Sequence, residues 1–518
     1  MKVILSQSFP RLDRGYITAT LASSVSLVDT PQLQEFLSGD HLRNMSAFES
    51  DRPRSKLPAI IFFFLIVVVG LLAASYYFWP RLERDPPQIT LAPDADVLGL
   101  APMEIRVTDH GAGLRAVTAT LSVGGSEHTL AAEQYAEAVR EKKFTLAASK
   151  LTGIKEGPAV LRVSARDGSL WKFFRGNETV LQKELTIDVT PPTIALIADD
   201  RYVNFGGVGA IVYKPSADTV TSGVRIGDYF FPGFKGQIKD HPDHFVALFA
   251  HPYNVPAQAR AVLVATDKAG NTREMSLAYE LKNVKYRKST IAISDSFVQS
   301  KVAPLLNDVG ARQGTPKDVF VAVNKGLRKE NEDKIAAVTK KSTASILWKG
   351  AFIQLSNSKV ESNFADERTY TYNNEPIDTA YHLGYDLSVT KRYPIEAANG
   401  GTVTFVGDLG IYGNTVIIDH GLGLFTLYSH LSSIDVKEGD SIKQRQIIGK
   451  TGETGLAAGD HLHYGVYLHG VAVLPVEWWD AKWINDNINP KLEGGSSEEI
   501  AESQQSKAPR KASQKRRR

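Results

Sequence analysis

The first long hydrophobic stretch is unbroken. Residues 57–79, LPAIIFFFLIVVVGLLAASYYFW, carry no charge over 23 positions. At ~1.5 Å per residue such a helix spans the ~30 Å hydrocarbon layer, so the pattern predicts a single transmembrane helix. Tyr76, Tyr77 and Trp79 sit where aromatic rings favour the interface, and Pro80 then stops the helix. The run exceeds the ~7–15 residues of a signal-peptide core and no small-residue cleavage site follows, which predicts an uncleaved anchor. Arg43, Arg52, Arg54 and Lys56 before the run outnumber Arg81 and Arg84 after it. That bias predicts a cytoplasmic tail at 1–56, with Met45 as an alternative start, and an extracytoplasmic remainder.

Beyond residue 85 the period changes to two. Alternating or β-branched segments such as Glu104–Val107, Ala116–Val123, Val160–Ala165 and Arg260–Ala265 predict strands. The region repeats itself: Pro86-Pro87-Gln88-Ile89-Thr90-Leu91 matches Pro191-Pro192-Thr193-Ile194-Ala195-Leu196, and Val163-Ser164-Ala165-Arg166-Asp167 matches Val264-Ala265-Thr266-Asp267. Two β-sandwiches are expected, at 85–189 and 190–285, resembling immunoglobulin-like modules of bacterial surface proteins. They would serve as spacers or as wall- or partner-binding units.

At 286–343 the pattern turns helical. Val302, Leu305, Leu306 and Val309 share one helix face, with Gly310 ending it, and Thr315-Pro316 looks like a cap followed by a first-turn proline. A helical linker packing on a neighbour is expected. From 344 to 486 short strands alternate with glycines. The clearest are Thr402–Val406, Thr415–Ile418, Phe425–Tyr428 and Tyr464–Tyr467. Residues 487–518 have too few apolar positions to offset ordering entropy and are expected to be disordered. The fold class is therefore mainly β, with one membrane helix and one helical insert.

Composition narrows the chemistry. The length of 518 residues suits about three domains. Cysteine is absent, which excludes disulfide scaffolds, zinc ribbons and thiol catalysis and leaves His, Asp and Glu as metal donors. The net charge of +3 hides seven basic residues within 507–518, so the body is close to neutral and is not a nucleic-acid binder. Six of the twelve histidines lie between His382 and His469, inside the glycine-rich β-region.

Two local patterns stand out there, His382-Leu383-Gly384-Tyr385-Asp386 and His461-Leu462-His463. On a strand, residues two apart share a face, so His461 and His463 project together. His382, Asp386 and one of that pair would make a three-donor set that leaves a tetrahedral position open for water, as catalytic zinc requires. His430, in Tyr428-Ser429-His430-Leu431, is a further candidate for proton transfer.

In this order and context, HLGYD, YSHL and HLHYG resemble the LytM/lysostaphin-type zinc metallopeptidases, the M23 family. The resemblance covers about residues 344–486. It implies a compact antiparallel β-domain with one zinc ion in an open groove and the peptide part of peptidoglycan as substrate. It assigns His382, Asp386 and His463 as ligands and His430 and His461 as catalytic histidines. His420 and His469 are left structural. Asp460 stands where many relatives have proline, which touches loop shape only. The expected protein is a membrane-anchored zinc endopeptidase of the cell wall, with cell-wall or divisome proteins as further partners. The alternative is a latent or non-enzymatic regulator that binds peptidoglycan or activates another hydrolase. A blocking segment, if present, would come from 286–375.

Overall fold

The computed structural model describes residues 57–507 apart from 152, 153 and 308. The cytoplasmic-tail expectation for 1–56 and the basic end, 508–518, lie outside the described residues. The chain divides into two compact units, 1–73 and 74–518. In the first, the residues from Leu57 onward belong to a helix, Leu57–Phe78, whose apolar side chains face outward all round. Among the described residues it is the one helix long and apolar enough to cross a membrane.

The second unit is mainly β. The strands Gln88–Ala92, Met103–Thr108 and Glu141–Leu146 form one antiparallel sheet. Five more, from Val97–Leu98 to Glu178–Ile187, form a second. Alternate residues of both sheets, among them Ile105, Val107, Val117, Leu121, Leu161 and Val163, are buried in one shared core. The repeat follows at 194–276, again as two sheets, with Val212 and Val246 meeting Val224, Phe231 and Leu263. The matching sequence pairs occupy matching places: Gln88–Ala92 and Ile194–Ala198 open the repeats, and Gly157–Asp167 corresponds to Ala261–Asp267.

The segment expected to be a helical linker begins differently. Lys288–Ala292 is a strand that pairs in parallel with Glu367–Tyr372. Its alternating Ser-Thr-Ile-Ala pattern is short and polar, which hides it from a helical reading. Helical structure runs between Asp295 and Val338, but the stripe expected through Val309 is broken. Val302 is buried, whereas Val309 is exposed. Pro304 lacks the N–H that would continue the ladder, so the chain tightens at Ala303–Leu305 and is extended at Leu306. Thr315 caps the next helix as expected, its hydroxyl accepting from the N–H of Asp318 at 3.3 Å.

The C-terminal region is built on one large antiparallel sheet. Its central order runs Tyr385–Ser388, Leu462–Leu468, Leu424–Ser429, Asn414–Gly421, Gly401–Asp408. Both faces of this sheet are covered. Ile418, Leu424, Tyr464 and Val466 point into a core shared with the second repeat. Ile417, Phe425, Leu427 and Tyr467 point into another, shared with Val302, Phe320, Val323 and Ile335 of the helical stretch. Burial on both faces explains why these strands read as continuous apolar runs rather than alternating ones.

The second repeat is therefore not a free spacer. Glu477, on the short helix Pro475–Trp479, accepts hydrogen bonds from Asn204 Nδ2 at 2.7 Å and from the N–H of Val208 at 2.8 Å. Burial pushes its carboxyl up to about 8 despite these donors. Lys491 Nζ meets Asp200 Oδ1 at 2.5 Å, both side chains almost wholly enclosed. This contact also corrects the expectation of disorder from 487 onward, since Asn489–Leu492 and Ser497–Lys507 are helical. The described part of this segment docks on the second repeat: Lys491 enters the ion pair and the Ser497 hydroxyl bonds Asp199 Oδ1 at 2.8 Å.

Removing one member of this buried pair leaves the other charge uncompensated. Lys491→Ala is expected to lower unfolding free energy by about 3–5 kcal/mol in chemical denaturation, and Lys491→Met with Asp200→Asn to recover most of it. A second expectation concerns pH. His420 is fully buried between the Gly400 carbonyl at 2.6 Å and Thr426 Oγ1 at 2.7 Å, and burial lowers it from 6.5 to about 4. The unfolded chain takes up this proton near pH 6.5 while the folded chain refuses it, so stability is complete above that range and falls as pH drops toward 4. The loss amounts to about 3 kcal/mol. His420→Gln should show a shallower slope of unfolding free energy over this interval; equal slopes would contradict the assignment.

Candidate metal centre

Strand register brings the motif residues together. Asp386 on Tyr385–Ser388 lies directly opposite His463 on Leu462–Leu468, where facing side chains are closest. His382 precedes the first of these strands. Its N–H donates to the Asp366 carbonyl at 3.0 Å and its own carbonyl accepts from Ala365 at 2.7 Å. Gly384 makes the close approach possible: a Cβ there would lie 2.5 Å from the Tyr464 carbonyl and 2.8 Å from the His463 ring.

The three donors converge on one point. His382 Nε2 is 2.9 Å from Asp386 Oδ1 and 3.0 Å from His463 Nδ1, and His463 Nδ1 is 3.0 Å from Asp386 Oδ1. His382 Nδ1 faces the Asn363 carbonyl at 2.9 Å. A carbonyl only accepts, so Nδ1 carries the proton and Nε2 presents a lone pair to the centre. One proton on His463 Nδ1 satisfies only one of its two neighbours, whereas a cation would satisfy all three donors. The three residues could thus hold a metal ion. Imidazole with carboxylate suits zinc and leaves an open position.

His430 and His461 stand beside this triad, their rings 4.8 Å apart. His430 follows the strand Leu424–Ser429 at φ 64°, its N–H donating to the Tyr412 carbonyl. His461 lies just outside the strand expected to hold it, in a bridge to Gly452, yet it reaches the same side, with Nε2 3.5 Å from Asp386 Oδ1. Both rings are pinned in the same manner. Nδ1 of His430 faces the Thr454 carbonyl and Nδ1 of His461 the Gly459 carbonyl, each at 2.8 Å. In the neutral ring of each, Nε2 is then the proton acceptor.

The electrostatics divide the group. Burial alone would raise the Asp386 carboxyl, but His382, His461 and His463 outweigh it and hold it well below the usual range. Burial, together with the neighbouring imidazoles, lowers His430 to about 3 and His463 to about 4. Burial also acts to lower His461, but contact with Asp386 outweighs it and leaves that ring raised. His420 and His469 are not drawn in: His420 is tied into the core, and His469 stacks on Phe234 at 5.7 Å. Asp460 fixes the approach loop, accepting from Thr451 Oγ1 at 2.6 Å and from the Arg392 N–H at 3.0 Å.

Several residues of this site carry no signal in the motifs. Ile291, Ile293, Phe297, Phe320 and Tyr370 form an apolar wall of the cavity that holds the histidines, with Arg328 and Arg368 beside them. Arg368 Nη2 sits 3.2 Å from Asp386 Oδ2, the oxygen turned away from the other donors. Tyr370 and Arg368 lie on the strand Glu367–Tyr372, shortly before His382, whereas Ile291, Ile293, Phe297, Phe320 and Arg328 lie far upstream and are brought in by packing.

Comparison with known proteins bears on the same region. The family profile of Peptidase family M23 matches residues 380–475. The DD-carboxypeptidase/endopeptidase Mpg of Neisseria meningitidis serogroup B is 41% identical over 95 residues, covering 18% of this chain and 22% of that protein. The stage II sporulation protein Q of Bacillus subtilis is 35% identical over 116 residues, covering 21% and 39%. The peptidoglycan DD-endopeptidase ShyA of Vibrio cholerae serotype O1 is 34% identical over 112 residues, covering 22% and 25%. The chain thus spans at most 39% of the length of any of these three relatives. No repeat or helical segment upstream of residue 380 falls within the family match, which confines what it establishes to the site just described. The C-terminal part of this chain, residues 380–475, is an M23 peptidase domain.

Proposed function

We propose that this protein is a membrane-anchored zinc endopeptidase that hydrolyses peptide bonds of peptidoglycan on the outer side of the membrane. The observation that carries the reading is the meeting of His382 Nε2, Asp386 Oδ1 and His463 Nδ1 within 3.0 Å of one another, flanked by two further imidazoles. Two of the three relatives above bear endopeptidase names, one of them a peptidoglycan endopeptidase.

His382, Asp386 and His463 would hold one zinc ion. Zinc in such a site supplies a Lewis acid and lowers the pKa of water toward ~7. The chain supplies the rest. His461, whose Nε2 lone pair faces the groove and whose Nδ1 is anchored on Gly459, accepts the proton of the attacking water and returns it to the leaving amine. His430 orients the water by accepting a hydrogen bond from it, and the His461 ring, once protonated, stabilises charge on the carbonyl oxygen as it becomes tetrahedral. The apolar wall from Ile291 to Phe320 excludes bulk water, which strengthens these interactions. The Leu57–Phe78 helix would act as the anchor.

A second reading, a latent or regulatory protein, draws support from that same wall. Ile291, Ile293, Phe297, Phe320 and Arg328 belong to the segment preceding the peptidase domain and border its cavity. One relative, the sporulation protein, bears a name without an activity.

Two measurements separate these readings. In full-length protein purified in detergent, metal analysis is expected to find about one zinc per chain, and His463→Ala to lose it. His461→Ala is expected to keep zinc while release of peptides from purified peptidoglycan falls at least ~100-fold. Zinc-loaded wild type that releases no peptide would favour latency or regulation. Hydrolysis indifferent to His461→Ala would remove the proton-transfer role.

A further inference from the structure

A second cluster of acidic groups lies at the start of the first repeat, away from the peptidase site. Glu83, Asp109 and Asp167 each place a carboxylate oxygen within 4.8 Å of the other two. Glu83 belongs to the segment entering the strand Gln88–Ala92, Asp109 follows Met103–Thr108, and Asp167 ends Gly157–Asp167. The Glu83 carboxylate is held over the next turn by the Ala112 N–H, where a methyl on Gly111 would overlap it. The Glu83 carbonyl accepts from Ser169 Oγ at 2.8 Å and Asn177 Nδ2 at 3.1 Å.

The balance of charge in this cluster is incomplete. Asp109 and Asp167 are 4% and 2% exposed. Both oxygens of Asp167 accept hydrogen bonds, from the N–H groups of Ser169 and Asn177 and from Asn177 Nδ2. Asp109 Oδ1 accepts from the Gly111 N–H at 3.3 Å, but its buried Oδ2 has no hydrogen-bond partner. The charged groups bearing on Glu83 are Asp109, Asp167 and Asp85, all acidic. A buried carboxylate oxygen without a partner is costly, and three carboxylates in contact repel one another, unless a cation lies among them.

We propose that Glu83, Asp109 and Asp167 bind a calcium ion, which pins the segment around Glu83 to the first repeat. Oxygens sharing one calcium at 2.3–2.6 Å lie up to about 5 Å apart, which these do. The donor set is all oxygen, which selects a hard cation over zinc. An open pocket lined by Glu83, Asp85, Asp109 and His110 gives the ion an entry path. The second repeat gathers Asp188, Asp218 and Asp267 at the corresponding place. There Asp218 is exposed, and among the described residues none of the three leaves a buried carboxylate oxygen without a partner, so the same argument does not extend to it.

The test is calcium titration of the full-length, zinc-loaded chain in detergent after calcium depletion, followed by calorimetry and thermal unfolding. Wild type is expected to bind calcium with Kd of about 10⁻⁴–10⁻³ M, the range of extracellular modules, with a rise in thermal midpoint. Asp109→Asn and Glu83→Gln should each weaken binding at least ~10-fold with zinc content unchanged. Glu83 lies outside both sheets, so its variant reports binding even if Asp109→Asn fails to fold. Without calcium, Asp109→Asn should unfold no earlier than wild type, because repulsion is relieved. No calcium binding by wild type at about 10⁻² M, or wild-type affinity in Glu83→Gln, would overturn the proposal.

Discussion

Lone pairs that face one another at hydrogen-bond distance repel unless a positive charge stands between them. His382 Nε2 and Asp386 Oδ1 are in that position, since the Asn363 carbonyl removes the tautomer of His382 that would relieve it, and a proton on His463 Nδ1 serves only one of them. The constraint fixes what surrounds it. Gly384 must lack a side chain because the Tyr464 backbone and the His463 ring occupy the space. Asp386 is brought to His463 by strand register, which sets the two residues directly opposite each other. His430 and His461 must be held by carbonyls on Nδ1 if their other nitrogens are to face the same groove.

Holding five polar side chains at this precision takes a rigid support. The sheet provides it by being buried on both faces, with the second repeat's core against one and the helical stretch against the other. Displacing either layer would expose strands with almost no polar face. This explains why polar and charged groups between layers are tolerated: Glu477 and the Lys491–Asp200 pair satisfy backbone or charge demands that the packing creates. The layer nearest the histidines also forms the groove's apolar wall, so stability and substrate access are coupled through the same residues.

Much of this was legible in the sequence because its carriers are local. The apolar run 57–78, the capped start at Thr315 and the spacing of HLGYD and HLHYG each depend on neighbours within one element. The repeat was legible as paired strings of residues. What stayed hidden depends on contacts between distant segments. Arg368 meets Asp386 on the strand Glu367–Tyr372, which pairs both with Lys288–Ala292 far upstream and with Glu375–Tyr381 just before His382. Lys491 looked like part of a polar tail until its partner, Asp200, was seen across the interface. The break at Pro304 has a local cause, since proline cannot continue the ladder, but the apolar stripe through Val309 points the other way in the sequence.

The central claim is that one cation joins His382, Asp386 and His463. Anomalous diffraction at the zinc edge, from crystals of the zinc-loaded protein, tests it most directly. The account predicts a single strong peak about 2.0–2.2 Å from His382 Nε2, one oxygen of Asp386 and His463 Nδ1. A peak bound elsewhere, or none with the three side chains ordered as described, would contradict it.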